Sequence, residues 1–316
     1  MVRSVIAGTG GYLPARSLTN DELAAEFSLD TSDAWISERT GIRRRHIAAP
    51  GESTADMAAA AAREALAQAG ADASEVDAII LATATPDSAF PSTATRVQEK
   101  LGIHQGFSFD ISAACTGFVY ALGVADAMIR AGQCRSALVI GAEAFTRILD
   151  WKDRGTCVLF GDGAGAVLLR ATEEEGPASR GILSTHLHSD GRHGDILQVE
   201  GGLVRMAGRE VFRHAVSKLA SAVDEALAAN GLDKSDVQWL VPHQANLRII
   251  DAMGRKLGLP SERVVVTVDR HANTSAASIP LALAEARRDG RIQPGDLVLM
   301  EAIGGGLTWG AALARF

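Results

Sequence analysis

No apolar run in this chain approaches the ~20 residues that a membrane-spanning helix needs, and the opening Val5-Ile6-Ala7 reaches Gly8 too early for a signal peptide. A soluble, cytoplasmic protein is expected. Cysteine is equally scarce. Cys115, Cys134 and Cys157 are odd in number, far apart and free of any Cys-x-x-Cys pair, which argues against a disulfide framework or a metal site and for a reducing compartment. Positive charge is not in excess either. The formal net charge is −7 with both signs interspersed, so no nucleic-acid partner is expected. What the chain does have is apolar substance: 47% of its 316 residues are hydrophobic, enough for one large domain or two ordinary ones.

The most informative stretch runs from Phe107 through Asp110 to Cys115 and on to Phe118 and Leu122. An apolar strand pattern stops at Asp110, small residues follow, and from Cys115 onward apolar positions recur at helical spacing. Cys115 thus falls where a strand turns into a helix. Unpaired N–H groups and the positive end of the helix dipole there favour a thiolate, as a nucleophile requires. Alone, such a cysteine also reads as a small buried packing residue.

In chain order, residues 5–8 read as a strand and residues 8–14 as a glycine-rich turn. Leu13 and Pro14 spoil a dinucleotide fingerprint at that turn. Helix starts follow at Thr19-Asn20-Asp21-Glu22 and Ser32-Asp33. The basic cluster from Arg39 to His46 reads as a solvated face or, beside Trp35, as a holder of a phosphorylated ligand. An alanine-rich helix over 53–69 ends at Gly70, and residues 76–83 form a buried strand.

The pattern then repeats. Residues 64–76 align without a gap with 225–237, an offset of 161 that also carries Ser112 onto Asn273 and Cys115 onto Ala276. Residues 161–170 parallel 306–315 at an offset of 145, which implies an insertion in the first half near 145–159. Two copies of a strand-helix-strand unit, joined near 171–177, imply a duplicated α/β architecture with halves 1–172 and 173–316. Such a duplication lets Cys115 and Asn273 face one shared cavity.

His243 follows the strand 237–241, at the carboxyl end where open α/β sheets place their sites. A histidine there is as readily a structural hydrogen-bonder, and Asn273 as readily a helix cap. Together with Cys115 they make a Cys/His/Asn set suited to acyl transfer through a thioester. Gly304-Gly305-Gly306 offers side-chain-free backbone whose N–H groups would hold an oxyanion.

With these residues in place, the chain resembles the β-ketoacyl-acyl-carrier-protein synthase III family of the thiolase-like superfamily. Gly161-Asp162-Gly163-Ala164-Gly165, Pro242-His243-Gln244-Ala245-Asn246 and Asn273-Thr274-Ser275-Ala276 carry the likeness, which spans the whole chain. The resemblance implies a duplicated five-layer αβαβα fold and a homodimer. It implies that Cys115 takes the acyl group of acetyl-CoA and that His243 and Asn273 stabilise the enolate of malonyl-acyl carrier protein, His243 in neutral form. Carbon dioxide, coenzyme A and acetoacetyl-acyl carrier protein are the implied products, with no cofactor. The N–H groups of Cys115 and Gly306 are the implied oxyanion hole. Trp35, Arg39 and Arg154, with Thr31 and Asn246, would contact coenzyme A. Phe90, capping a partner subunit, and Met206 would line the acyl pocket. Arg213, Gln244, Ala245, Asn246, Leu247, Arg248, Arg255 and Lys256 would dock the acidic carrier protein. Arg43 to Arg45 are left as a solvated face.

Residues 195–206 are shorter than in enteric members, Ile303 replaces a usual phenylalanine and Ala272 a usual glycine. These departures bear on primer length. The alternative is a type III-like synthase that primes a specialised lipid or polyketide pathway with a longer or branched acyl-CoA. A non-catalytic scaffold would lack Cys115, and a metal site on His186, His188 and His193, expected on a loop, lacks suitable spacing.

Overall fold

The computed structural model describes residues 2–173 and 180–316, so part of the expected junction, 174–177, lies outside the described residues. The first half runs β1 (Arg3–Tyr12), β2 (Arg16–Thr19), α1 (Asn20–Glu26), α2 (Asp33–Thr40), β3 (Arg44–Ile47), α3 (Thr54–Ala69), β4 (Ala78–Ala82), α4 (Thr93–Lys100), β5 (Phe107–Ile111), α5 (Gly117–Arg130), β6 (Ser136–Glu143) and β7 (Gly163–Thr172). The second runs β8 (Gly181–Ser189), β9 (Leu197–Glu200), β10 (Leu203–Met206), α6 (Gly208–Ala229), β11 (Trp239–Pro242), α7 (Leu247–Leu257), α8 (Val268–His271), α9 (Ser278–Arg288), β12 (Leu297–Gly304) and β13 (Thr308–Arg315).

The five-stranded sheet of the first half, β1-β7-β6-β4-β5, and the four-stranded sheet of the second, β8-β13-β12-β11, share the order of four strands, β5 being additional. The β4–β6 and β11–β12 pairs are parallel, and β6–β7 and β12–β13 antiparallel. The expected insertion is present: residues 144–162 connect β6 to β7, whereas 305–307 alone connect β12 to β13. The repeat extends to backbone detail. Ala114 and Ser275, 161 positions apart, are both non-glycine residues at positive φ, 45° and 49°. Each opens the turn before a central helix.

Those central helices, α5 and α9, lie between the sheets and pack against strands of both. Outside them, α3 and α4 cover the first sheet and α6 covers the second, giving the layers αβαβα. β6 and β12 are buried along all eight residues, as strands covered on both faces must be. α3 follows its sequence signals closely: Ser53 forms a capping box with Asp56, and Gly70 ends the helix at φ 59°.

One local expectation fails. Residues 8–12 are not a turn, because β1 continues to Tyr12 in register with β7. The glycines serve packing instead. A Cβ on Gly8 or Gly10 would stand 2.2 Å from the carbonyl oxygen of Ala65 or Ala61, so only glycine lets α3 sit this close to the strand.

Candidate active site

β5 ends at Ile111, and a 3-10 turn, Ala114–Thr116, leads directly into α5. Cys115 sits in that turn, buried but lining a cavity. Its helix-start position does not by itself yield the expected thiolate. Burial pushes the thiol up to about 12, with the nearby Ser275 hydroxyl opposing and the Glu143 charge reinforcing. The dipole is worth ~0.3–2 kcal/mol, less than the several kcal/mol of taking a thiolate out of water. The resting group is therefore the thiol.

His243 follows β11 and extends its ladder by donating its N–H to Glu301 O at 2.8 Å. Burial holds its imidazole down to about 3, so the ring is neutral, as the expected enolate role would require. Its Nδ1 lies 2.6 Å from Ser278 Oγ, at the first residue of α9. That oxygen also accepts from Gln244 N at 3.2 Å. With a lone pair so engaged, the hydroxyl can donate to Nδ1, which leaves the imidazole proton on Nε2.

Asn273 is bracketed by the segment between β6 and β7: its N–H donates to Leu159 O and its carbonyl accepts from Gly161 N. Its side-chain Oδ1 accepts from Ser275 N at 2.8 Å, so the amide's donor end is the one available to a ligand. Glu301 is the buried neighbour that the sequence did not single out. Burial pushes its carboxyl up to about 8, and its Oε2 has no partner. It is therefore protonated at neutral pH.

One cavity of about 310 Å3 is lined by Cys115, His243 and Asn273 together, and also by Arg39, Ala245, Asn246, Met206 and Ile303. A smaller apolar cavity of about 130 Å3 continues from Cys115 among Phe145, Phe160, Leu197, Val199, Val204 and Gly305. Met206 lines the larger space and not this one. Phe145 and Phe160, stacked at 4.3 Å, were not anticipated; they lie within the inserted segment 144–162, which was the available signal. The short segment 195–206 is a β9–β10 hairpin turning at Gly201 and Gly202, both at positive φ, and it walls the small cavity.

The glycine run reaches Cys115. Gly304 ends β12 beside the Cys115 turn, and Gly306 has a φ of 136° that other residues disfavour. Thr116 Oγ1 donates to Thr308 O at 3.0 Å, and Thr308 Oγ1 lies 3.1 Å from Ala113 O, which ties the turn to the loop.

Toward the surface, Trp35 on α2 has two guanidiniums over its ring, Arg39 Cζ at 4.7 Å and Arg154 Cζ at 5.1 Å from the centroid. The Thr31 hydroxyl has no partner. Asn246 caps α7, and its Nδ2 donates to Arg39 O at 3.2 Å. Arg248, Arg255 and Lys256 are exposed on α7, and Arg213, exposed on α6, pairs with Glu210. Phe90 is 86% exposed on the loop between β4 and α4.

Three expectations are corrected. Gln244 cannot dock a partner: it is fully buried, with Nε2 donating to Pro242 O and Val265 O while Oε1 accepts from Thr267 N and Val268 N. Arg45 is not part of a solvated face, for its side chain is wholly buried. His186 and His188 are not on a loop; they lie in β8, and both bond the Glu225 carboxylate of α6. Among the described residues no cluster of His, Cys, Asp or Glu could hold a metal ion, and no helix is long and apolar enough to cross a membrane. Leu247 lies against Gly41, where a Cβ would stand 2.5 Å from the Leu247 Cβ.

Comparison with known proteins agrees with this geometry. Residues 109–191 match the family described as 3-oxoacyl-(acyl-carrier-protein) synthase III, and residues 227–316 match its C-terminal part. The chain is 67% identical to the β-ketoacyl-(acyl-carrier-protein) synthase III of Acidiphilium cryptum (strain JF-5), over 100% of both chains. Its counterpart in Rhodospirillum centenum (strain ATCC 51521 / SW) is 66% identical, over 100% of this chain and 99% of that one. The crystal structure of 3-oxoacyl-(acyl-carrier-protein) synthase III from Aquifex aeolicus VF5 superposes with a TM-score of 0.95 at 49% identity, covering 99% of this chain and 100% of that one. With a cysteine, a neutral histidine and an asparagine on one cavity between duplicated halves, this chain belongs to the 3-oxoacyl-(acyl-carrier-protein) synthase III family, condensing acyltransferases of thiolase-like fold.

Proposed function

We propose that this enzyme condenses acetyl-CoA with malonyl-acyl carrier protein, with Cys115 as nucleophile and His243 and Asn273 as the donors that stabilise the enolate. The observation that carries the reading is the shared cavity, to which three distant segments bring these three side chains. Cys115 Sγ attacks the acetyl-CoA carbonyl, the oxyanion is held by the N–H groups of Cys115 and Gly306, and coenzyme A leaves with the thiol proton. His243 Nε2–H and Asn273 Nδ2–H then donate to the thioester oxygen of malonyl-acyl carrier protein. The carbon–carbon bond to the carboxylate breaks, carbon dioxide departs, and its electron pair becomes the enolate. The enolate carbon attacks acetyl-Cys115, and the thiolate that leaves takes up a proton. A neutral imidazole whose N–H is already in place pays no reorganisation as this charge develops.

Trp35, Arg39 and Arg154, with Thr31 and Asn246, bind the coenzyme A nucleotide in this reading, supported by the two guanidiniums gathered at one indole. Arg213, Arg248, Arg255 and Lys256 attract the acidic carrier protein, with Ala245, Asn246 and Leu247 near the entrance. A second copy of the chain covers the exposed Phe90, which in turn caps that copy's small cavity. The division between the halves falls at 172/173. A cavity of about 130 Å3, well under the ~300–1,000 Å3 of pockets for drug-sized ligands, supports a primer of few carbons over a long one.

The test is incubation with radiolabelled acetyl-CoA. Wild type becomes labelled and Cys115→Ser does not; equal labelling of both rules out the assignment. His243→Ala and Asn273→Ala retain labelling while losing carbon dioxide release from malonyl-acyl carrier protein.

A further inference from the structure

Arg45 occupies a four-residue edge strand between an exposed Arg44 and a half-buried His46, yet it is itself 0% exposed. Among the described residues no carboxylate pairs with it. Its guanidinium meets neutral acceptors: Nη2 donates to Asn20 Oδ1 at 2.7 Å and to Val158 O at 3.1 Å, and Nη1 donates to Leu18 O at 3.3 Å. Nε has no partner. Burial pulls the group down to about 10, with the Cys157 and Asp33 charges opposing. Burying a guanidinium without a direct counter-ion is costly, and an apolar side chain of similar volume is usually tolerated better. What the guanidinium holds gives it a reason to be there.

The two hydrogens of Nη2 divide between two parts of the chain. Val158 lies in the segment joining β6 to β7, in the run of turns that starts at Asp153, whose carbonyl accepts from Cys157 N at 3.0 Å. Arg154 is in the same run. On the other side, Asn20 passes the contact on: its Nδ2 donates to Asp33 Oδ1 at 2.8 Å and to Ile42 O at 2.7 Å. Asp33 is the first residue of α2, the helix of Trp35 and Arg39. One planar fork thus ties the segment of Arg154 to the helix of Trp35, and these are the two elements whose side chains meet around the indole. A charged donor holds a neutral carbonyl more firmly than a neutral one does, and a fixed fork fixes the angle between its two acceptors.

We propose that Arg45 is a positioning residue for acyl-CoA: through Val158 O and the Asn20–Asp33 contact it sets the spacing between α2 and the Arg154 segment, so that Trp35, Arg39 and Arg154 form one clamp on the nucleotide. The inference rests on the reading that those three side chains contact the nucleotide. Arg45 touches neither substrate nor reacting atoms. Lysine cannot replace it, because an ammonium lacks the planar fork and reaches the two acceptors with different geometry.

The experiment compares acylation of Cys115 by acetyl-CoA and by acetyl-pantetheine, which carries the same thioester and arm without the nucleotide. The ratio of the two kcat/KM values measures nucleotide preference. Arg45→Met lowers this preference about tenfold or more through the KM for acetyl-CoA, leaves the acetyl-pantetheine rate as in wild type, and is not rescued by Arg45→Lys. Asp33→Asn, at a half-buried surface position, shifts the ratio in the same direction by less and serves if Arg45→Met fails to fold. Equal losses with both substrates overturn the proposal, since they mark a general structural role. So does an unchanged ratio in Arg45→Met and Asp33→Asn while Trp35→Ala and Arg154→Ala lose it. If Trp35→Ala and Arg154→Ala also keep the preference, the clamp reading itself is wrong, and the two failures are told apart.

Discussion

A Cβ placed on Gly304 would stand 2.7 Å from the backbone nitrogen of Cys115 and 3.1 Å from that of Thr116. The glycine run of the second half therefore abuts the backbone amide of Cys115, across a contact that no side chain fits. Gly304→Ala must push the Cys115 turn out of place. Loss of a donor from an oxyanion site costs ~100–1,000-fold in rate, so acylation in a single turnover with radiolabelled acetyl-CoA falls by about that factor. Thermal unfolding of the same sample checks that the protein remains folded.

Ser278→Ala removes the hydroxyl 2.6 Å from His243 Nδ1 and leaves a buried ring nitrogen unpaired. The tautomer with Nε2–H loses its support. Carbon dioxide release from malonyl-acyl carrier protein drops by about tenfold, while acylation of Cys115 stays near wild type; the lost buried partner also costs ~1–3 kcal/mol in urea unfolding.

Two buried groups near the site contribute to the pH dependence with opposite signs. His243, held down to about 3, is neutral throughout the physiological range, so carbon dioxide release shows no inflection from this ring near its ordinary 6.5. Its contribution to stability is full above 6.5 and is lost as pH falls through about 3. Glu301, pushed from 4.5 to about 8, behaves in reverse: its contribution is full below 4.5 and is lost as pH rises through about 8. Urea unfolding at acidic and alkaline pH therefore finds a steeper alkaline loss in wild type than in Glu301→Gln.

Ala272 has φ 58° and ψ −162°, a conformation proper to glycine, and it is fully buried directly before Asn273. A non-glycine residue held there carries ~1–3 kcal/mol of strain. Glycine gives back part of that gain through its larger unfolded-state entropy. Ala272→Gly is accordingly stabilising by about 1 kcal/mol in chemical unfolding.

Much of the architecture was legible because the chain states it twice. The 161-residue offset read from residues 64–76 and 225–237 reappears in the paired positive-φ residues Ala114 and Ser275, and it led from Cys115 toward Asn273. Capping signals at Ser53, Thr19 and Ser32 placed α3, α1 and α2, since a cap depends on neighbours within four residues. The motif order around Cys115, His243 and Asn273 carried the family and its chemistry.

What remained out of reach was set by contacts between distant segments. Gly8 and Gly10 look like a turn until Ala61 and Ala65 of α3 press against them. Arg45 looks solvated until Leu18, Asn20 and Val158 close around it. Gln244 sits in a functional motif yet spends all its hydrogen bonds inside the core. The Cys115 thiol, expected to ionise, is kept protonated because burial outweighs the local dipole. Periodicity, caps and repeats are local properties, so the residues alone established the duplicated α/β plan and brought forward Cys115, His243 and Asn273 as one candidate set. Burial, and with it the charge state of each of those side chains, depends on which remote backbone comes to lie against it, and only the assembled layers supply that.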